Sequence, residues 1–149
     1  MRKLVVVFAA IALVMVSGVA QAATKPVPVS ITGAIGFSES GAGSGTFSAT
    51  GPVCSSGTIL QLAGLFVGWQ SNQGAQILVR HEFTCGDGSG SFVLQLAARL
   101  DFATSTTDFT WTVLSGTGDY AKLHGTGSGT GISSPGGVVD TYTGRMHID

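Results

Sequence analysis

Ile77-Leu78-Val79-Arg80-His81-Glu82-Phe83-Thr84-Cys85 runs into Gly86-Asp87-Gly88-Ser89-Gly90 and then into Ser91-Phe92-Val93-Leu94-Gln95-Leu96-Ala97-Ala98-Arg99-Leu100-Asp101-Phe102. In the first run Ile77, Val79, His81, Phe83 and Cys85 fall at every second position. Leu78, Arg80, Glu82 and Thr84 lie between them. In the second run Phe92, Leu94, Leu96, Ala98, Leu100 and Phe102 share one side, and Gln95, Arg99 and Asp101 share the other with Val93 and Ala97. An extended chain points successive side chains to opposite faces, so both runs predict strands with one packed side. The glycines between them accept the positive φ angles of a tight turn. The segment therefore predicts an antiparallel hairpin, packed on one face and half-polar on the other.

The same rhythm continues outward in both directions. Towards the N-terminus it predicts strands at about 29–37, 45–50 and 58–69, with Gly41-Ala42-Gly43-Ser44 and Ser71-Asn72-Gln73-Gly74 as turns. Towards the C-terminus it predicts strands at about 109–114, 125–132 and 138–148, with Ser133-Ser134-Pro135-Gly136-Gly137 as the last loop. With the strands at 75–85 and 91–102 this makes eight. Helix signals are nearly absent, and the fold class is all-β. Eight sequential hairpin-linked strands close most simply into an antiparallel up-and-down barrel, which leaves no exposed edge. At eight strands the interior is filled by side chains or holds one small ligand. A two-sheet sandwich is the structural alternative.

The chain of 149 residues favours one domain. It opens on Arg2 and Lys3, an apolar run from Leu4 to Val16, and then Ser17-Gly18-Val19-Ala20-Gln21-Ala22-Ala23. A positive start, a short apolar middle and small residues before a cut are the layout of a secretory signal peptide. Cleavage is expected after Ala22, giving a leader at 1–22 and a single domain at 23–149. The apolar run is shorter than the roughly 20 residues a membrane-spanning helix needs. A secreted protein, extracellular or periplasmic, is therefore expected, with no stable membrane insertion once the leader is gone.

The full chain carries seven Lys and Arg against eight Asp and Glu. Without Arg2 and Lys3, five face eight, a net charge of −3. No basic patch exists to neutralise phosphates, so nucleic acid is not an expected partner. Two cysteines, Cys54 and Cys85, would enter an oxidising compartment together, and a disulfide between them is expected. Two free buried thiols are the alternative. A metal site on this pair lacks nearby His or Cys partners.

Between Trp111 and Gly127 the chain contains Gly116-Thr117-Gly118-Asp119-Tyr120-Ala121-Lys122-Leu123-His124-Gly125-Thr126-Gly127. A strand should end near Gly116, and one helical turn should set Tyr120 and Leu123 on the same side, as a plug for one end of a barrel. This element resembles the Gly-Thr-Gly-x-Tyr-x-x-Leu-x-Gly-x-Gly stretch of the allene oxide cyclase and dirigent-like barrels. It is most similar to the small secreted bacterial members. The Phe83-to-Gly90 turn resembles theirs as well. The resemblance implies an eight-stranded antiparallel barrel with an apolar lumen, often a homotrimer. Plant members cyclise an allene oxide or guide radical coupling, and bacterial relatives include natural-product cyclases. No catalytic residue is carried over from them to this chain.

The alternating glycines from Gly125 to Gly131 do not open a helix, so they do not form a phosphate-binding loop. They predict a strand with one bare face against which rings such as Trp111 can lie. No G-x-S-x-G elbow is present. His81, His124 and His147 lack zinc-ligand spacing, no calcium loop occurs, and neither metal nor cofactor is expected. His81 sits on an apolar face and reads as packed or at an interface rather than catalytic. The polar group with the best spacing is Arg80, Glu82, Gln95, Arg99 and Asp101. Facing the lumen, it could bind a polar group or shift a carboxylate. Facing out, it is a solvated face with cross-strand ion pairs. The apolar residues opposite need burial, which favours the outward reading.

Three functions fit these features. One is a non-enzymatic barrel that is structural or carries a small hydrophobic ligand, for which a pocket of roughly 300 Å³ or more is expected. Another is a cyclase or isomerase that confines a reactive substrate, which needs a polar group near an opening. The last is an oligomeric surface-interaction protein.

Overall fold

The computed structural model describes residues 24–71 and 73–149. Eight strands follow one another around a closed barrel: β1 (Val27–Phe37), β2 (Gly43–Thr50), β3 (Ser56–Ser71), β4 (Gly74–Cys85), β5 (Ser91–Asp101), β6 (Thr106–Gly116), β7 (Leu123–Ser134) and β8 (Gly137–Ile148). Each pairs antiparallel with its neighbour in sequence. β1 then pairs with β8, from Val27↔Met146 to Gly36↔Gly137. That last ladder closes the sheet and excludes the sandwich. The expected leader at 1–22 lies outside the described residues.

Period-two alternation sets the inside. In the β4–β5 hairpin Phe83 faces Phe92 and His81 faces Leu94, all four buried in the lumen. Leu96 and Ala98 continue the row. Leu100 is half-buried, and Phe102 lies beyond the end of β5 and is exposed, so the buried row is shorter than its sequence pattern. Each fully buried Phe, Leu or Ile contributes about 1.5–3 kcal/mol. On the outside, Thr110, Thr112, Thr126, Ser128, Thr130, Thr141 and Thr143 cover β6, β7 and β8 with short polar side chains.

The two ends of the barrel differ. At one end Phe83 and Phe92 stack with centroids 4.9 Å apart, and Phe47 meets Phe83 edge-on at 5.2 Å. The short 3-10 turn Gly118–Tyr120 caps this end, with Tyr120 and Leu123 buried beneath it. Tyr120 packs edge-on against Phe92, and its hydroxyl meets Ser89 Oγ at 3.1 Å. The Asp119 amide donates to the Ser89 carbonyl, and the Thr117 amide to the Ser91 carbonyl. The Phe83-to-Gly90 turn and the Gly116-to-Gly127 element are thus locked to each other. A disulfide joins Cys54, in the β2–β3 loop, to Cys85 at the end of β4, with Cα atoms 5.8 Å apart. This end is sealed.

Trp111 explains the bare face of β7. A Cβ placed on Gly127 or on Gly144 would stand 2.5 Å from the Trp111 ring. With no side chain there, the indole lies on the backbone and its Nε1–H donates to the Ser128 carbonyl at 3.0 Å. A clash with an aromatic ring and the strand behind it has no cheap relief, so glycine is required at both places.

β3 departs from simple alternation. Its ladder with β4 shifts register three times, between Gln61 and Ala63, Phe66 and Gly68, and Trp69 and Ser71. Each shift resets which residues face inward. Leu60 faces out by alternation with the buried Ile59. Leu62, Leu65 and Val67 are exposed along the shifted stretch, and Leu65 pairs with the exposed Leu78 on the outer wall.

Candidate functional site

The end opposite the cap is open. Here β1, β5 and β7 finish and β4, β6 and β8 begin, and their inward side chains surround a cavity of about 140 Å³. Its walls are apolar, with Ile77, Val79, Leu96, Leu100, Phe109 and Val138 among the lining residues. Gln61, Thr107 and Ser133 add uncharged polar groups. Two titratable residues line it as well, His81 from β4 and Asp140 from β8. Both are almost fully buried, at 3% and 5% exposed.

These two are joined through Tyr142, itself fully buried. Tyr142 Oη lies 2.7 Å from His81 Nδ1 and 3.2 Å from Asp140 Oδ2. Proton positions follow from valence. An ionised Asp140 only accepts, so the Tyr142 hydroxyl donates to it. That hydroxyl has no second proton for His81, so Nδ1 must carry the hydrogen and donate to Tyr142. The other ring nitrogen, Nε2, is then a bare acceptor. Nε2 makes no hydrogen bond among the described residues, and neither does Asp140 Oδ1. Yet every fully buried side-chain nitrogen or oxygen among those residues has a partner. Both atoms therefore reach open space, and the cavity is the space they line. Asp140 Oδ1 lies over Gly131, 2.4 Å from where a Cβ there would stand, so the bare backbone of β7 leaves the carboxylate its place.

Burial tunes the pair in opposite senses. It lowers the His81 pKa to about 4, so the imidazole is neutral at pH 7. It raises the Asp140 carboxyl to about 6, partly offset by the hydrogen bond from Tyr142. Tyr142 is pushed well above the usual phenol value by burial and by the neighbouring carboxylate. At pH 7 the cavity holds one buried negative charge, and no ion pair to it is formed among the described residues.

The outer-wall residues singled out by spacing do not form a site of this kind. Arg80 and Arg99 are exposed, Glu82 and Gln95 are half-buried, and Asp101 is exposed. Arg80 sits opposite Gln95, and Arg99 opposite Gln76, on the outside of the barrel. Asp101 caps the turn after β5, accepting from the Ala103 and Thr104 amides. Shallow grooves of about 210 and 450 Å³ lie on this wall, next to Arg99. They are roomier than the mouth cavity, but neither buried polar residue, His81 or Asp140, lines them. His124 and His147 pair across β7 and β8 on the outside, and both approach the Asp149 carboxylate, at 3.2 and 3.4 Å. Among the described residues no group of three or more His, Cys, Asp or Glu is arranged to hold a metal.

Asp140 and Tyr142 carry no catalytic motif. Their signal is the alternation of Asp140, Tyr142 and Met146 along β8, which puts one carboxylate on an otherwise apolar face. The chain matches no known protein-family model, no curated protein and no solved structure.

Proposed function

We propose that this protein is an exported barrel that binds a small, mostly apolar molecule in its open mouth. The observation that carries this reading is the apolar cavity of about 140 Å³ with two acceptor atoms, His81 Nε2 and Asp140 Oδ1, open to it from otherwise buried side chains. The volume is below the roughly 300 Å³ of a drug-sized pocket. It is close to the roughly 150 Å³ that accommodates benzene in an engineered protein cavity, so the ligand is fragment-sized. Export is supported by the Cys54–Cys85 disulfide, which is typical of oxidising compartments. The Thr- and Ser-covered outside of β6, β7 and β8 and the apolar lumen support a water-exposed barrel rather than a membrane-spanning one, whose outer band is apolar and whose interior is polar.

Ligand-observed NMR with toluene and benzyl alcohol tests this reading. Saturation transfer from the wild-type protein, lost when Ala98→Phe fills the mouth, is the expected result. Equal transfer in both proteins, or none in either, removes the mouth as a binding site.

His81 favours a second reading, proton transfer of the kind an isomerase or cyclase uses. Its Nε2 lone pair is held by Tyr142 and Asp140 and lies at an opening. Deuterium exchange into the methyl group of acetophenone, accelerated by the wild type and not by His81→Gln, is the expected signature. No acceleration by the wild type sets this reading aside.

A further inference from the structure

We infer that the mouth of the barrel is built for a small organic ammonium ion, whose N–H groups donate to Asp140 Oδ1 and His81 Nε2 while its apolar body rests on Phe109, Leu96 and Val138. The inference rests on the ligand-binding reading above and gives it a chemical class.

Three observations lead there. First, Asp140 is the one lining residue of this cavity that bears a formal charge at pH 7, and no Lys or Arg lines it. A carboxylate buried without a cation is unstable, as the upward shift of its pKa to about 6 records. Something positive would relieve it. Second, the two buried titratable residues of the lining each turn an acceptor to the cavity, a carboxylate oxygen and an imidazole nitrogen whose tautomer is fixed by Tyr142, beside the uncharged groups of Gln61, Thr107 and Ser133. Acceptors select a donor, and an ammonium group presents up to three. Third, Phe109 lines the same cavity, and an aromatic face attracts a cation.

The alternatives fit less well. A carboxylate or phosphate would meet the Asp140 charge and find no cationic partner. A neutral alcohol could donate to either acceptor, but the buried charge would stay uncompensated. The other titratable groups around Asp140 are few. Across the lumen stands His81, and two residues along the same strand stands Tyr142. On the adjoining strands Asp140 is paired with Gly33 of β1 and Gly131 of β7, neither of which ionises.

Benzylamine, benzyl alcohol and toluene share one shape and differ in charge and donors, and calorimetric titration of the full chain with each separates the cases. At about pH 7.5 benzylammonium should bind at least about ten-fold more tightly than benzyl alcohol. That margin should shrink at about pH 5, where Asp140 takes up a proton. Asp140→Asn should bring benzylamine down to the level of benzyl alcohol. If that variant does not fold, the wild-type pH series decides alone, because the margin must then follow a group titrating near 6. Benzyl alcohol binding as tightly as benzylamine, or a margin that does not change with pH, overturns the ammonium inference and leaves the ligand-binding reading standing. Failure of all three probes overturns both.

Discussion

Tyr142 on β8 meets His81 on β4 at 2.7 Å across the lumen, from strands that lie on opposite sides of an eight-stranded barrel. The contact is a polar strut through an apolar interior. Below it the lumen is filled by rings, and beside it lies the open cavity. The strut extends to Asp140, so three buried polar side chains from two opposed strands share a single line of hydrogen bonds. A barrel whose interior served only for packing would gain nothing from a buried carboxylate there, since an apolar residue would be more stable.

The pH dependence of stability tests the strut. Asp140 has a folded pKa of about 6, above its ordinary 3.8, so the folded state holds its proton more tightly and stability falls as pH rises between those values. His81 has a folded pKa of about 4, below its ordinary 6.5, so stability rises with pH over that range. Each effect is worth about 3 kcal/mol, and the windows overlap between about 4 and 6. They oppose each other, and urea denaturation of the wild type should be nearly flat there. Asp140→Asn should be more stable at pH 7 and lose stability steeply as pH falls below about 6.5. A wild type as acid-sensitive as the variant would contradict the opposed shifts.

The two ends of the lumen should respond oppositely to changes in volume. Phe83 is fully buried between Phe92 and Phe47, and Phe83→Ala should cost about 3–5 kcal/mol in denaturant unfolding. Ala98 borders open space, and Ala98→Phe should cost less than about 1.5 kcal/mol. Equal losses would mean that the mouth is not a cavity.

Gly131 offers a gentle test of the carboxylate. A Cβ there meets Asp140 Oδ1 at 2.4 Å, and its other near contacts are the Val138 and Thr107 side chains at 3.2 and 3.3 Å. Gly131→Ala should displace the Asp140 carboxyl with under about 2 kcal/mol lost in stability. Binding of benzylamine should weaken more than binding of toluene, as titration of both probes would read.

The disulfide should matter to stability and not to the mouth. Cys54 and Cys85 are 31 residues apart in sequence, and closing that loop is worth about 3–4 kcal/mol. The double change to Ser should lower unfolding free energy by about that amount and leave mouth binding unchanged. Lost binding would show that the two ends are coupled.

Much of this architecture is legible in the residues themselves. The hairpin around Gly86–Gly90 reveals its inward row through strict alternation, and the barrel follows from eight such segments with short turns. The Tyr120–Leu123 plug is legible because its helical turn is local. β3 is not, because three bulges reset its facing, and of the three only the shift at Gly68 has a glycine to announce it. The mouth site is hidden for a different reason. Asp140 and Tyr142 show the alternation of an inward face, but their partner His81 is some sixty residues away, and only closure of the barrel brings the strands opposite each other. The spacing that draws the eye, from Arg80 to Asp101, belongs to neighbouring strands on the outer wall.

The most direct measurement is methyl-resolved NMR of the full chain titrated with benzylamine. The expected shifts are confined to Val79, Leu96 and Val138 around the mouth, while Val29, Leu123 and Met146 near the sealed end stay still. Shifts centred on Leu78 and Ala97, on the outside of β4 and β5, would contradict a ligand site inside the barrel.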